Sequence, residues 1–537
     1  MKLHIKYSLL CLVISTLFVS CGSSSGIIST PIENIDSSPL KISDLTEEEL
    51  HNWQHLDLAN DTIPGMSVDK AYNEIIKNRK GKTVIVAVID SATDIDHEDL
   101  DDVLWVNTDE IPNNGKDDDN NGYVDDIHGW NFIGDTYYEQ FEYVRLLASG
   151  QTNHPRYTEA QNLYNTEYQK YSQLKTQSTQ LLQQVKQAND LIVLHLNKKD
   201  YTKDEVSSIK TEDQNLQQAI AIVKSIYAYG YDPVSDFIKA IEGDLVTIND
   251  RLDYQLNKNF KGRKINDDIN DLSDVGYGNN NPRPVNENES HGTHVSGIIL
   301  AERNNGKGMK GVANNARLMA IRSTPNGDEY DKDVALAIRY AVDNGAKVIN
   351  MSFGKAFSPH SDWVRESIVY AAAHDVLIVH GSGNDSDNVD INSNYPNDAK
   401  GTEAEIADNF ITVGALNPRY GANLVADYSN YGKVNVDVFA PGSDIYSSTP
   451  NNNYESKDGT SMAAPNVTGV AALIRSQYPN LTASQVKQIL IQSGLPISAK
   501  VMVGKSKTIK NLSDISKSGK IVNAYNALIM ASQLANQ

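Results

Sequence analysis

Cysteine and basic residues are both scarce in this sequence of 537 residues. It contains two cysteines, Cys11 and Cys21, and both lie near the N-terminus, which excludes a framework of disulfide bonds. Lysine and arginine number 48 against 69 acidic residues, and the net charge is -21, whereas a nucleic-acid-binding protein would show a basic face. With 40% hydrophobic and 22% charged residues, the composition is typical of a globular protein with a sizeable core.

The N-terminus has the pattern of an export signal. Two lysines precede the apolar run Leu9–Val19, which is too short to span a bilayer. Ser20–Gly22 follows and resembles the end of a bacterial lipoprotein signal, in which Cys21 becomes the acylated first residue of the mature chain. We therefore expect a signal peptide over 1–20 and a flexible tether over 21–45. Ordinary signal cleavage, with Cys21 free or lost, is the alternative.

This N-terminal pattern also predicts where the protein is found. An acylated cysteine would anchor it to the bacterial outer membrane or cell envelope, on either the periplasmic or the surface face. The glycine- and serine-rich stretch 22–26 would give the anchored chain a flexible connection. We therefore expect an exported, lipid-anchored protein.

Alternating strand and helix patterns predict an α/β fold. The continuous β-branched run Thr83–Asp90 is typical of a strand buried on both faces, and Asp90 falls at its carboxyl end, where open α/β sheets bind ligands. Further strands are predicted at 317–321, 346–351, 376–380, 410–413 and 436–439, and helices at 334–342, 363–373, 465–476 and 482–492. The alternation indicates a mostly parallel sheet flanked by helices.

A stretch rich in Gln, Tyr, Lys and Asn interrupts the α/β pattern. Three segments with helical spacing of apolar residues lie within it, at 157–192, 206–227 and 234–252. We predict an antiparallel helical bundle over 135–284, inserted between two segments of the α/β domain at 46–134 and 285–537. The bundle could be a lid, a platform for a protein partner or simple bulk, and the sequence leaves these roles open.

An acidic loop over 114–126 has the alternation expected of calcium ligands. Acidic and amide side chains alternate along it, and a glycine then permits a sharp turn. The bidentate glutamate that usually closes such a loop is missing, since His128 stands at that position. A solvated acidic turn is the alternative. The predicted Ca2+ ligands are Asp117, Asp119, Asn121, Tyr123, Asp125 and Asp126.

Two histidines, His291 and His294, lie in a run of small residues that predicts a tightly packed helix. Residues at this spacing could bind zinc, but Thr293 stands in place of the glutamate of a zinc-protease helix and no third ligand accompanies the pair. A buried structural histidine is a further alternative. This motif alone does not decide between them.

Asp90, His291 and Ser461 together have the composition of a site for nucleophilic acyl transfer. This chemistry needs a nucleophile, a base and a carboxylate that orients the base. Ser461 lies where a glycine-containing loop gives way to an apolar helical run, so the helix N-terminus would favour a developing anion, although an ordinary serine cap is the alternative. Asn384 and the backbone N–H of Ser461 could supply the oxyanion donors.

Four motifs carry a resemblance to the subtilisin-like serine endopeptidases, the subtilases. They are Asp90–Leu100, His291–Gly297, Asn350–Gly354 and Gly459–Pro465. The resemblance covers roughly 60–134 and 285–535. It implies a subtilisin-like three-layer fold and an endopeptidase acting on protein or peptide substrates, with Asp90, His291 and Ser461 as the triad and Asn384 as oxyanion donor. The implied walls of the primary specificity pocket are Ser352, Phe353, Gly354, Gly381, Ser382 and Gly383.

The resemblance also sets expectations beyond the triad. Members often bind structural calcium, which supports the predicted acidic loop, and Asp99 with the 304–305 loop matches another calcium site of the family. The chain departs from the family pattern at Ala92, at Gly381-Ser382 and at Asn466, and none of these changes removes a reacting group. The alternative function is a catalytically silent scaffold that binds a protein partner through the helical insertion.

Overall fold

The computed structural model describes residues 27, 29–33, 35 and 41–537. The predicted signal peptide and Cys21 lie outside the described residues. The strands are β1 (Val84–Asp90), β2 (Gly129–Asn131), β3 (Ala316–Arg322), β4 (Val348–Met351), β5 (Leu377–Gly381), β6 (Phe410–Leu416), β7 (Val438–Pro441), β8 (Ile445–Thr449), β9 (Asn453–Lys457), β10 (Leu495–Pro496), β11 (Val501–Val503), β12 (Thr508–Lys510) and β13 (Lys520–Ile521).

The helices fall into three groups along the chain. Those before the sheet are α1 (Glu47–Asn52) and α2 (Val68–Ala71). Those between β2 and β3 are α3 (Glu142–Ala148), α4 (Tyr157–Leu196), α5 (Lys203–Ser208), α6 (Gln214–Ala228), α7 (Val234–Asp250) and α8 (His291–Leu300). The remainder are α9 (Asp331–Asp343), α10 (Ser361–Ala373), α11 (Thr460–Gln477), α12 (Ala483–Ser493) and α13 (Ala524–Ala535).

A nine-stranded sheet forms the centre of the fold, in the order β10-β13-β7-β6-β5-β4-β1-β3-β2. All neighbouring strands pair in parallel except β10 and β13. Along β1, Val86 and Val88 pack in one hydrophobic cluster with α8 and α11, while Ala87 and Ile89 pack in a second with α9 and α10. The alternation buries both faces of the sheet, so the predicted three-layer α/β class is confirmed.

The helix that carries Ser461 begins earlier than predicted, at Thr460 rather than at Pro465. Pro465 lies inside the helix, where it has no N–H to donate to the carbonyl of Ser461. The hydroxyl of Ser352 donates to that carbonyl instead, at 2.9 Å. A side chain from the end of a neighbouring strand thus compensates the proline and keeps this helix continuous.

The region 135–284 contains the predicted helices, with one correction. The predicted helix over 206–227 is two helices, α5 and α6, because Asp213 accepts hydrogen bonds from the backbone N–H groups of Asn215 and Leu216 and starts α6 anew. The 40-residue α4 packs against α6 and α7 around a separate apolar core that includes Val185, Val223 and Ile241. Within the described residues, no helix is both long enough and apolar enough to cross a membrane.

Some described residues of the predicted flexible tether over 21–45 contact the α/β domain. The backbone N–H of Ile32 donates to the side-chain oxygen of Asn526 at 2.8 Å, and its carbonyl accepts from the same amide at 3.0 Å. Ile35 is buried in the main core, and Ile27 packs against that core. The segment is rich in serine, but the side chains of Ile27, Ile32 and Ile35 pack in or against the main core, and its backbone is hydrogen-bonded to α13.

Arg322 ties the sheet to the start of the insertion. This fully buried residue pairs with Asp90 in the register of β1 and β3. Its guanidinium donates to the carboxylate of Glu289 at 2.7 Å and to the backbone carbonyls of Gly134 and Thr136. The same carboxylate accepts from the N–H of Ala92 at 3.2 Å. One buried ion pair therefore joins the end of β1, the segment before α8 and the chain entering the insertion.

Removing one partner of this pair should strongly destabilise the protein. We expect Arg322→Met to lower the free energy of unfolding by about 3–5 kcal/mol, because the Glu289 carboxylate would stay buried without its counter-charge. The control is Arg283→Met, since Arg283 pairs with Asp96 where both side chains are largely exposed, and it should cost less than about 1 kcal/mol. Urea unfolding measures both, and similar losses would contradict the assignment.

Candidate active site

Asp90 and His291 meet at the carboxyl edge of the sheet. Asp90 is the last residue of β1 and is 1% exposed, and His291 is the first residue of α8. Oδ1 of Asp90 lies 2.6 Å from Nδ1 of His291 and also accepts the N–H of Ser91. A carboxylate held against Nδ1 fixes the proton of a neutral imidazole on that nitrogen and leaves Nε2 as an acceptor.

A glycine permits the close approach of α8 to the end of β1. A Cβ atom placed on Gly292 would lie 2.6 Å from the carbonyl oxygens of both Ser91 and Ala92, so any larger residue would push the helix away. The N–H of Gly292 also donates to the hydroxyl of Ser91 at 3.0 Å. The glycine that follows His291 therefore controls the distance between the imidazole and Asp90.

The Ser461 hydroxyl lies in the first turn of α11 and donates to the carbonyl of Ser352 at 3.0 Å. From the sequence we expect this hydroxyl within hydrogen-bond reach of a base. In the described part of the chain it donates to Ser352 and not to His291. A rotation about the Cα–Cβ bond of Ser461 would release it, and hydrogen bonds of this kind often form only when substrate binds.

Asn384 presents an amide donor beside Ser461. Its Oδ1 accepts from the backbone N–H and the hydroxyl of Thr460, at 2.9 and 3.1 Å, which leaves Nδ2 on the other side of the amide. A Cβ atom placed on Gly459 would lie 3.6 Å from that Nδ2 and 3.5 Å from the backbone N of Ser461. Both donors therefore lie within 3.6 Å of one point beside Gly459, where they could converge on an oxyanion.

The predicted pocket walls follow two neighbouring strands. Ser352, Phe353 and Gly354 come directly after β4, and Gly381 ends the adjacent β5. A Cβ atom on Gly381 would lie 3.0 Å from the carbonyl oxygen of Thr460, so this wall packs directly against the start of α11. The structure thus places both predicted walls beside Ser461.

Two asparagines that were not predicted from the sequence contact the second wall, which is formed by Gly381, Ser382 and Gly383. The side-chain amides of Asn394 and Asn430 both donate to the carbonyl of Ser382, at 3.2 and 3.0 Å. A Cβ atom on Gly383 would lie 2.4 Å from Nδ2 of Asn430, and one on Gly354 would lie 2.8 Å from Nδ2 of Asn394. Because these contacts are long-range and involve single polar residues in loops, no periodicity in the sequence signals them.

An open cleft of about 430 Å³ lies beside Asp90 and His291. Its lining includes Asp90, His291, Ser352, Phe353 and Gly354, and also the segment 324–327 with Glu329. Glu329 is 2% exposed, and burial raises the pKa of its carboxyl to about 8.

The acidic loop brings together a different carboxylate set from the predicted one. Asp119 and Asp126 lie with Glu110, their oxygens all within 4.8 Å of one another. Burial raises the pKa of Asp126 to about 6. Three converging carboxylates fit a hard cation such as Ca2+. Glu110 was not predicted as a ligand because it precedes the alternating stretch. Only the folded chain brings it close to Asp119 and Asp126.

The other four predicted calcium ligands make hydrogen bonds or packing contacts within the protein. Asp117 accepts from the N–H groups of Asn121 and Gly122, and Asp125 from those of Asn114 and Gly115. Their carboxylates therefore stabilise the loop. Oδ1 of Asn121 accepts the N–H of Tyr123, and its Nδ2 donates to Asp119 and Asp126 at 3.0 and 3.1 Å, so Asn121 contacts the cluster. The ring of Tyr123 packs among aromatic residues, including Trp130 and Tyr340.

The second suggested calcium position, Asp99, is buried and hydrogen-bonded within the protein. Its carboxylate accepts from the amide of Asn305, from the N–H of Met309 and from the hydroxyl of Tyr454. The structure does bring Asp99 beside the 304–305 loop, as the family pattern implied. The carboxylate acts there as an acceptor for three protein donors.

Comparison with known proteins identifies relatives of the α/β domain. The chain is 34% identical over 259 residues to the cell wall-associated protease of Bacillus subtilis (strain 168), covering 48% of this chain and 25% of that protein. It is 39% identical over 210 residues to the thermophilic serine proteinase of Bacillus sp. (strain AK1), covering 39% and 48%. Subtilisin DY of Bacillus licheniformis is 36% identical over 221 residues, covering 41% and 75%.

The chain therefore spans a quarter to about half of the first two relatives and three quarters of the third. A solved protease structure from Pseudoalteromonas arctica PAMC 21717 is 32% identical and covers 45% of this chain and 70% of that one, with a TM-score of 0.37. The model of the Subtilase family matches residues 81–513, which include the insertion. The chain belongs to the subtilase family.

Proposed function

We propose that this protein is an exported, lipid-anchored serine endopeptidase that hydrolyses peptide bonds through an acyl-enzyme. Its triad is Asp90, His291 and Ser461, and Asn384 is an oxyanion donor. The observation that carries the proposal is the 2.6 Å contact between Asp90 and His291, in a cleft whose wall residue Ser352 accepts the hydroxyl of Ser461 at a helix N-terminus. Membership of the subtilase family supports the same chemistry.

The reaction begins when the Ser461 hydroxyl turns from the carbonyl of Ser352 to Nε2 of His291. The imidazole takes the proton as Oγ attacks the scissile carbonyl, and Asp90 stabilises the resulting imidazolium. The C–N bond then breaks as the imidazolium gives its proton to the leaving amine. Water, deprotonated by the same imidazole, hydrolyses the acyl ester and restores the Ser461 hydroxyl.

The negative oxygen of each tetrahedral intermediate is held by two donors, the backbone N–H of Ser461 and Nδ2 of Asn384. The N–H of Ser461 is in the first helical turn, where it has no acceptor within the helix. The amide of Asn384 is fixed by its contacts with Thr460. Because neither donor has to reorganise, the gap beside Gly459 is prepared for charge that develops only in the reaction.

Substitutions at these two residues should have different kinetic signatures. Ser461→Ala should reduce hydrolysis of a casein-derived peptide by at least about 10³-fold, because no nucleophile remains. Asn384→Ala should strongly lower kcat with KM nearly unchanged, because the amide contacts charge present only in the transition state. Ser207→Ala, on the exposed face of the insertion, is the control and should retain full activity. Undiminished hydrolysis by Ser461→Ala would contradict the proposal.

We also propose a structural calcium ion held by Glu110, Asp119 and Asp126. The ion would bring a positive charge to three neighbouring carboxylates and cross-link the loop to the residues before it. Asn107 donates to both Asp119 and Asp126, at 3.0 and 2.9 Å, and Tyr340 donates to Asp126 at 2.6 Å. These donors orient the two carboxylates, and Nδ2 of Asn107 bridges them.

Calcium should stabilise the protein in a pH-dependent way. At pH 7.5 we expect Ca2+ at 100 times its Kd to raise the free energy of unfolding by about 2.7 kcal/mol over protein in chelator. Because the pKa of Asp126 is raised to about 6, protons compete with the ion, and the gain should be lost as the pH falls through that value. Asp126→Asn should abolish the gain and Asp117→Asn should retain it. A gain equal at pH 5 and 7.5 would contradict this ligand set.

The lipid anchor is proposed from the motif at Cys21, and the N-terminal position of the packed segment around Ile32 is compatible with it. Cells fed a fatty-acid probe should label the wild-type protein, and Cys21→Ser should lose the label. Cys11→Ser, within the predicted signal peptide, is the matched control and should keep it. Labelling that persists in Cys21→Ser would exclude anchoring at this residue.

A further inference from the structure

A loop of basic residues comes directly before β1. In a chain with a net charge of -21, residues 77–82 include no acid and four basic residues: Lys77, Arg79, Lys80 and Lys82. All four are exposed, and among the residues that the structure describes none of the four forms an ion pair. The neighbouring Glu74 is already paired with Lys70, at 2.6 Å. This basic loop, 77–82, is therefore a local concentration of positive charge on an acidic protein.

The surface beside the basic loop is uncharged. Arg79 lines an open depression of about 700 Å³ together with residues at the ends of α11 and α13, including Tyr478 and Leu534. Neither α13 nor the segment 476–485 contains a charged residue. Arg79 donates to the hydroxyl of Tyr478 at 3.4 Å, and a half-exposed tyrosine of this kind suits the headgroup region of a bilayer.

The described N-terminal segment reaches the same depression. The N–H of Ile27 donates to the hydroxyl of Ser532 at 3.5 Å, and the N–H of Ile32 donates to Asn526, nearer the start of α13. The segment thus runs antiparallel to α13, and Ile27 lies towards the C-terminal end of the helix, where Ser532 lines the depression. Cys21 is six residues before Ile27, so the two cannot be farther apart than about 22 Å. An acyl chain on Cys21 would therefore hold a bilayer close to the basic loop.

The cleft of the candidate active site lies on the opposite side of the α/β domain. The N–H of Lys82 donates to the carbonyl of Ser476 near the end of α11, at 2.7 Å, whereas Ser461 is in the first turn of the same helix. A helix rises by about 1.5 Å per residue, which places these two serines about 22 Å apart along its axis. In the same way the basic loop precedes β1, and Asp90 ends it. A bilayer against the basic loop would leave the cleft open to solvent.

The local charge decides how the protein meets an anionic surface. At physiological ionic strength charges are screened over about 8 Å, so headgroups that touch the basic loop interact with its four cations more than with acidic residues elsewhere. Each lysine or arginine at an anionic membrane surface strengthens binding about fivefold. The acidic remainder of the protein is repelled by the same surface, which favours a single orientation.

We propose that the basic loop is a membrane-docking surface, which binds the anionic headgroups of the bilayer that holds Cys21 and keeps the cleft facing away from it. The inference rests on the proposed lipid anchor. It goes beyond the anchor because a lipid on a single residue limits the distance of the protein from the bilayer but does not fix its orientation. Docked in this way, the protein presents its cleft to proteins in the surrounding solution.

Lysine footprinting of the anchored protein tests the docking without any substitution. Acylated protein is placed in phosphatidylcholine vesicles with and without about 30% phosphatidylglycerol, and a water-soluble acetylating reagent followed by mass spectrometry measures the reactivity of each lysine. Lys77, Lys80 and Lys82 should react at least about fivefold more slowly on the anionic vesicles, and about 0.5 M NaCl should remove the difference. Exposed lysines of the insertion are the internal control and should react equally on both: Lys199, Lys203, Lys210 and Lys224.

Neutral variants test the orientation. A dye on Gln533→Cys, at the exposed end of α13, measures energy transfer to acceptor lipids near the basic loop, and a dye on Asn288→Cys measures it from the cleft. On anionic vesicles transfer should be stronger from position 533. Replacing the four basic residues of the loop by glutamine should lower that transfer by at least about twofold. The matched control changes the net charge equally and should not lower it, with glutamine at positions 199, 203, 210 and 224.

The docking surface is excluded if the three loop lysines react equally on anionic and neutral vesicles, if their protection persists at high salt, or if the control variant loses as much transfer as the loop variant. Stronger transfer from position 288 than from 533 would contradict the orientation. A protein without an acyl group on Cys21 would overturn the proposal together with the anchor, and the mass of the N-terminal peptide identifies that result separately. None of these measurements depends on peptide hydrolysis.

Discussion

The parallel alignment of the central strands is the constraint on which the rest of the site depends. Because β1, β4 and β5 run in the same direction in adjacent positions, Asp90, Ser352 and Gly381 leave the sheet at a single edge. The two helices that carry His291 and Ser461 pack on one face of that sheet and begin at the same edge. Residues separated by hundreds of positions are thereby brought together without a disulfide or any other covalent link.

Glycines allow the strands and helices that carry the site to approach one another closely. Gly292 allows α8 to approach the end of β1, Gly381 allows β5 to approach α11, and Gly459 leaves open the gap between two hydrogen-bond donors. Around them, buried polar groups fix orientation, as when the Arg322–Glu289 pair joins the segment before His291 to the end of β1. Close backbone approach and buried hydrogen bonds together orient the elements that carry the site.

Much of the fold could be predicted from the sequence because strong periodicity marks it. The buried strand ending at Asp90 and the helix beginning at His291 are local patterns, and the structure contains both. Sequence patterns did not predict contacts between residues that are far apart in the chain. Glu110 joins the acidic cluster through the fold, Asn394 supports a wall from a loop, and Ile35 is buried by packing against the main core.

The central claim is that Ser461 is a nucleophile activated by His291, and a fluorophosphonate probe with mass spectrometry of the labelled peptide tests it most directly. The account predicts a covalent adduct on Ser461 in the wild type, strongly reduced labelling in His291→Ala, and none in Ser461→Ala. Folded wild-type protein that stays unlabelled, or an adduct on another serine that persists in Ser461→Ala, would contradict the account.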